Sequence, residues 1–252
     1  MERNMDNQKL VAYMLDMGEI LLTSGAEVNR IEDTLMRIGS AYHFTRVDVL
    51  TITASIVLTV HTEDGSIITQ TRRIKGLQVD MERVNQVNCL SREICQNVPD
   101  ISYIEKELQK IKEIKRYSEF VISMAYVAVA SSFAVFFGGS MMDGLAAGLA
   151  ALILRIMQRI GQRIKMNALF LNMMCSAVVG IVVMALTRIG IGHSIDQIVM
   201  GNVMLLIPGL AFTTSLRDII GGDIISGLLE MTEAFLKAAA IAMGFAVLLI
   251  QI

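Results

Sequence analysis

Apolar positions recur at helical spacing from the start of the chain. In NQKLVAYMLDMGEILLTSG, Leu10, Met14, Met17 and Leu21 repeat every three to four residues, which predicts an amphipathic helix stopped near Gly25. In AEVNRIEDTLMRIGSAYH, Val28, Ile31, Leu35 and Ile38 fall on one face and predict a second helix. The period then changes. VDVLTITASIVLTVHTEDGSIITQTRRI is rich in Val, Ile and Thr, and Asp64-Gly65 is a strong hairpin turn. LQVDMERVNQVNCLSREICQN returns to helix, and Pro99-Asp100 ends it. ISYIEKELQKIKEIKRY starts a last helix with no breaker before the apolar run at Phe120, so it is expected to continue into that run.

From residue 120 the pattern is no longer amphipathic. Residues 120–142 and 166–187 are uncharged and long enough to span a bilayer, and 197–216 is a third such run. Residues 144–154 are short and bounded by Asp143 and Arg155, so this run spans only if Arg155 snorkels and neighbouring protein covers the helix. Its Gly144-x-x-x-Gly148 and Ala147-x-x-x-Ala151 spacings give a small face for close helix packing. Residues 224–252 are long enough to span but carry Glu230, Glu233 and Lys237 in their first half. The prediction is a membrane α-helical protein of about five transmembrane helices over 118–252, behind an N-terminal cytoplasmic α+β domain over 1–117.

Composition agrees with this division. The 252 residues are 54% hydrophobic, and the mean hydropathy is +0.56. Of the 46 Lys, Arg, Asp and Glu residues, 32 fall in 1–117. The net charge of −2 argues against a nucleic-acid partner. No signal peptide is expected, because residues 1–9 are polar. Arg155, Arg159, Arg163 and Lys165 follow the second run, and Lys112, Lys115 and Arg116 precede the first. By the positive-inside rule both are cytoplasmic, as is the N-terminus, in a multi-pass plasma-membrane protein. Cys89, Cys95 and Cys175, with His43, His61 and His193, form no ligand spacing. No metal or cofactor is expected.

The candidate chemistry is concentrated in GNVMLLIPGLAFTTSLRDIIGGD, residues 201–223. Pro208 cannot donate to the carbonyl of residue 204, and Gly209 loosens the same point. In hydrocarbon the freed carbonyls need a neighbour, water or a ligand. Thr213, Thr214 and Ser215 follow one turn later; they either bond back to their own helix or face a path. Asp223, Ser226, Glu230, Glu233 and Lys237 then share one helix face, with Glu233 and Lys237 in the favoured order for an ion pair. That face either lines a water-filled path or belongs to a helix end that protrudes into the cytoplasm. Asn167, Asn172 and Ser176 could line the same path. In the charged region Glu27, Arg30, Glu32 and Asp33 cluster after Gly25, and Arg72-Arg73 end a strand. No Gly-x-Ser-x-Gly elbow, phosphate loop or metal spacing accompanies them. The simpler reading is a solvated helix face and strand-end charges.

LIPGLAFTTSLRDIIGGDIISG resembles the Pro-Gly…Arg-Asp…Gly-Asp…Ser-Gly signature of the threonine/serine exporter family. SGAEVNRIEDTLMRIG, and the hairpin followed by Arg72-Arg73, resemble that family's cytoplasmic domain. The resemblance covers nearly the whole chain. It implies an exporter of a small polar metabolite rather than an enzyme. The implied pathway residues are Asn172, Pro208, Gly209, Thr213, Thr214, Arg217, Asp218, Asp223, Ser226, Glu230, Glu233 and Lys237, and the implied cytoplasmic motif is Gly25, Glu27, Arg30, Glu32, Arg72 and Arg73. Single-chain members of the family carry a second membrane half, whereas this sequence ends at Ile252. It is therefore expected to resemble the larger subunit of the split two-component form, with a small multi-span partner. Relatives of that form are associated with export of succinate as well as hydroxy amino acids. Two alternatives stay open: a membrane-anchored hydrolase using Glu27, Arg30 and Glu32, and a non-transporting scaffold or sensor.

Overall fold

A computed structural model describes residues 2–74, 76, 79–114 and 117–249. It is mostly helical, 71%, with one small antiparallel sheet near the N-terminus. The chain forms two compact units. One comprises residues 1–115 and 210–231, the other 116–209 and 232–252. Residues 210–231, which carry most of the signature motif, thus pack with the N-terminal region.

In the first unit, α1 (Glu2–Thr23) is the centre of the core. The expected face of Leu10, Met14, Met17 and Leu21 is buried, but so are Val11, Leu15, Ile20 and Leu22. The second half of α1 is therefore enclosed on most sides rather than amphipathic, because helices and sheet both pack on it. Gly18 permits this: a Cβ there would lie 3.1 Å from Ile56 and 3.3 Å from Leu35. α2 (Val28–Ala41) buries Val28, Ile31, Leu35 and Ile38, as its spacing predicts.

The β region is a three-stranded meander, β1 (Arg46–Ile52), β2 (Ser55–His61) and β3 (Ile67–Arg73). The Asp64-Gly65 turn joins β2 to β3, and a second two-residue turn at 53–54 joins β1 to β2. Asp64 accepts from the Ser66 N–H, and Gly65 takes φ +81°. Alternation puts Ile56, Leu58 and Val60 of the central strand fully into the core. α3 (Met81–Asn97) starts on Asp80, whose side chain accepts from the Arg83 N–H at 3.1 Å, and ends at Val98 in a left-handed conformation before Pro99. α4 (Ile101–Lys112) ends there and does not run on into the next helix. A separate helix, α5 (Glu119–Phe136), begins on a Ser118 cap. Continuous helical periodicity hid this break, because a Ser N-cap makes a start that needs no Pro or Gly.

In the second unit, α5, α6 (Met141–Arg163) and α7 (Ala168–Arg188) are long and apolar enough to cross a membrane, three such helices among the described residues. The first run is shorter than expected because the chain turns at Gly138-Gly139. The short 144–154 run lies inside the 23-residue α6. Its small face serves as expected: a Cβ on Gly144 or Gly148 would press on Val135, Val127 and Ser131 of α5. Arg155 does not simply snorkel. It pairs with Glu119 at 2.9 Å and lies 5.5 Å over the Tyr126 ring. The 197–216 run is not one helix. It is divided between α8 (Ile195–Val203) and α9 (Gly209–Gly221), with Pro208 in the gap. The last run is α10 (Ile224–Leu249), and residues 250–252 lie outside the described residues. Where α10 meets α7, a Cβ on Gly244 would stand 2.0 Å from Ser176 Oγ, so only glycine fits.

Candidate functional site

The site is built where α9 and the start of α10 meet the turn between α1 and α2. After Thr23 the chain turns through Gly25, at φ +89°, a conformation that favours glycine. Glu27 then occupies the cap position of α2 in extended conformation, without capping the helix through its own side chain. It pairs instead with Arg217 of α9. The neighbouring Asn29 Nδ2 donates to the Gly221 carbonyl at 3.2 Å. A Cβ on Gly221 would come within 2.6 Å of that amide, so the approach needs glycine.

Asp218, 5% exposed, lies beyond the apolar run that ends at Leu216, and the Val28 N–H faces its carboxyl. Burial, followed by the Glu230 charge, pushes this carboxyl up to about 6; the Val28 N–H works against the shift, and Asp223 and Glu27 add to it. The single Thr214 hydroxyl proton is shared between Glu230, at 3.0 Å, and the Leu210 and Ala211 carbonyls of its own helix. Ser215 bonds back to Phe212. Thr214 therefore bonds back to its own helix, as one of the two readings has it, and also reaches an acid. Thr214, Asp218 and Glu230 share a cavity of about 20 Å³ with Leu22, Gly25, Ala26, Val28 and Thr53. That is room for about one water-sized group.

The remaining motif residues are distributed around this centre. Asp223 sits between α9 and α10, its N–H on the Asp218 carbonyl, and its buried Oδ2 has no partner among the described residues. Ser226 is buried, 3% exposed. Glu32 is held apart at the end of β1, where it accepts the Thr51 N–H at 2.7 Å. Burial raises its carboxyl and the Asp223 charge adds to the shift, while the Thr51 bond opposes it. Arg30 lines a different groove, between α2 and α3. Glu27 and Glu32 thus engage different neighbours while Arg30 lines a separate groove, and the three do not form a nucleophile–base pair. Arg72 pairs with Asp16 and Glu19 of α1. Arg73 ends β3 as a solvated strand-end charge.

In the second unit Pro208 and Gly209 sit at the gap and the start of α9. Glu233 and Lys237 make the expected ion pair at 2.7 Å. The Asn167 side chain caps α7, and the Asn172 backbone carbonyl accepts from Ser176 Oγ at 2.8 Å. Thr213, which belongs to the first unit, stands in α9. No group of His, Cys, Asp or Glu among the described residues could hold a metal ion.

Sequence reasoning missed Asp143. Its carboxylate, 1% exposed, accepts from the His193 and Ser194 N–H groups at 2.6 and 2.9 Å and from both Ser140 donors at 2.7 Å. It fixes the loop between α7 and α8. The capping pattern Ser140-x-x-Asp143 was the readable signal for half of this arrangement.

The chain is 20% identical over 243 residues to a "Probable threonine/serine exporter" of Mycobacterium tuberculosis (strain ATCC 25618 / H37Rv), covering 96% of this chain and 46% of that protein. The chain thus spans about half the length of the curated relative it matches. No solved structure matches it significantly. The sequence model of the family described as "Putative threonine/serine exporter" matches residues 12–251, and the chain belongs to that family.

Proposed function

We propose that this chain is a transporter subunit that exports a small polar metabolite across the plasma membrane, with its N-terminal region in the cytoplasm. Family membership and the three long apolar helices support a membrane transport role over an enzyme. The observation that carries the finer reading is the convergence of Thr214, Asp218 and Glu230 on Gly25 and Val28, around a space that admits about one water-sized group as it stands and would open to take a substrate. Hydroxyl and carboxyl groups converge there in a buried setting, next to a helix interrupted at Pro208. Interrupted helices of this kind are used by transporters to present backbone and side-chain groups to a substrate.

The charge balance favours one substrate class. Asp218, Glu230 and the nearby Asp223 are acids, and Arg217 is already paired with Glu27. Such a lining attracts an ammonium group and repels a dicarboxylate. A hydroxy amino acid, threonine or serine, therefore fits better than succinate. On this reading Pro208 and Gly209 form a hinge, Thr213, Thr214, Arg217, Asp218, Asp223, Ser226 and Glu230 line the path, and Glu233 with Lys237 continues it. The 197–216 and 224–252 runs supply a fourth and a fifth membrane crossing. A small multi-span partner, which could complete an inverted pair, is part of the same reading.

The test is efflux from loaded vesicles containing the purified chain, alone and with the candidate partner, using threonine, serine and succinate. Amino-acid efflux that is lost in Glu230→Gln, and slower alkylation by a water-soluble reagent of a cysteine placed at 230 when substrate is present, are expected. Succinate efflux without threonine or serine efflux refutes the substrate class. Full efflux from the chain alone refutes the partner.

A further inference from the structure

The groove between α2 and α3 lies apart from the cavity described above. It has a volume of about 320 Å³, within the range of small-molecule sites, and Arg30, Arg37 and Arg92 line it. Arg37 is paired with Asp33 at 2.9 Å, and among the described residues Arg92 meets only the Cys89 sulfur, at 3.0 Å. The Arg30 guanidinium has no partner among the described residues. Three guanidiniums and one carboxylate leave the groove with two uncompensated positive charges.

Asn88, on the same wall, strengthens the case. It is 7% exposed, and its side-chain amide has no partner among the described residues, although its carbonyl accepts from Ser91. Its polar atoms are not among the buried, unpartnered ones, so they face the water of the groove and are free to meet a ligand there. Thr34 and Ser91, which also line the groove, spend their hydroxyl protons on the Arg30 and Asn88 carbonyls, so the donors left to a ligand are the guanidiniums, this amide and the Gln96 amide. Cys95 completes the wall, and burial pushes its thiol up, so it is a neutral neighbour rather than a thiolate.

We infer that this groove binds a small dianion, a phosphoryl group or a dicarboxylate, held by Arg30 and Arg92 and oriented by the Asn88 amide. Guanidiniums suit either oxyanion through paired N–H donors. The ligand neutralises the two excess charges and takes a hydrogen bond from the Asn88 amide together. Its site is on the helix whose first turn, at Glu27 and Asn29, holds α9, so occupancy acts on the element that grips the signature motif.

The test uses the full-length chain in detergent. Titration with inorganic phosphate and, separately, with succinate is followed by calorimetry at constant ionic strength, with chloride as the control. Saturable binding of at least one of the two is expected, and which one binds identifies the oxyanion. Arg92→Gln and Asn88→Leu are each expected to weaken it about tenfold, and Lys110→Gln on α4 is expected to leave it unchanged. In the unmodified protein the bound anion should also slow alkylation of Cys95, mapped by peptide, which tests the site even where a variant folds poorly. No saturable binding of either anion, affinity unchanged in Arg92→Gln, or Cys95 alkylation indifferent to the anion that binds overturns the inference.

Discussion

Arg217 of α9 is ion-paired with Glu27 of the turn between α1 and α2, a residue 190 positions earlier in the chain. Arg217 is 62% exposed, so the pair contributes little stability, about 0–1 kcal/mol. Its expected role is orientation. Glu27→Ala and Arg217→Ala should each lower efflux several-fold with near-normal thermal unfolding. The reversed pair, Glu27→Arg with Arg217→Glu, should recover part of the loss. Reversal without any recovery would show that the two residues act separately.

Asp218 makes packing against α2 sensitive to pH. Its carboxyl is raised from 3.8 to about 6, so the packed state holds the proton more tightly than the unfolded chain does. A raised carboxyl destabilises: the cost is full above about pH 6 and fades as pH falls toward 3.8. Asp218→Asn should therefore raise the unfolding temperature at pH 7.5, and the gain should shrink at pH 5. A gain that is equal at both values would assign the effect to packing alone. Glu230, Asp223 and Glu27 face the same carboxyl, so Glu230→Gln should lower its pKa and shift this transition downward.

Pro208→Ala should lower efflux while membrane insertion stays intact. The substitution restores an N–H to a segment where α8 stops at Val203 and α9 starts at Gly209. Rejoining the two short helices removes the interruption that the transport reading needs. Efflux equal to that of the unsubstituted chain would reduce Pro208 to a packing feature.

Asp143→Ala should destabilise the chain by about 1–3 kcal/mol, because it leaves the part-buried His193 and Ser194 N–H groups without their acceptor. Asp143→Asn keeps one acceptor and should recover part of that loss. Thermal unfolding in detergent measures both, and an unaltered midpoint in Asp143→Ala would contradict the loop-fixing role.

Much of the architecture was legible because it is local. Val28, Ile31, Leu35 and Ile38 announce α2, Asp64-Gly65 announces a hairpin, and Gly144 with Gly148 announces a close helix crossing; each depends on residues a few positions apart. The interruption at Pro208 was also legible, since a missing N–H acts on its own helix. The end of α4 was not, because helical spacing continues through the break and only the Ser118 cap marks the restart. The pairing of Arg217 with Glu27, the enclosure of Asp218 beside Val28, and the separation of Arg30 from Glu32 were decided by tertiary structure alone. Periodicity tells which face of a helix is buried, but not which distant surface buries it. That choice depends on shape and charge complementarity between segments nearly two hundred residues apart, as the close approach of Asn29 to Gly221 shows.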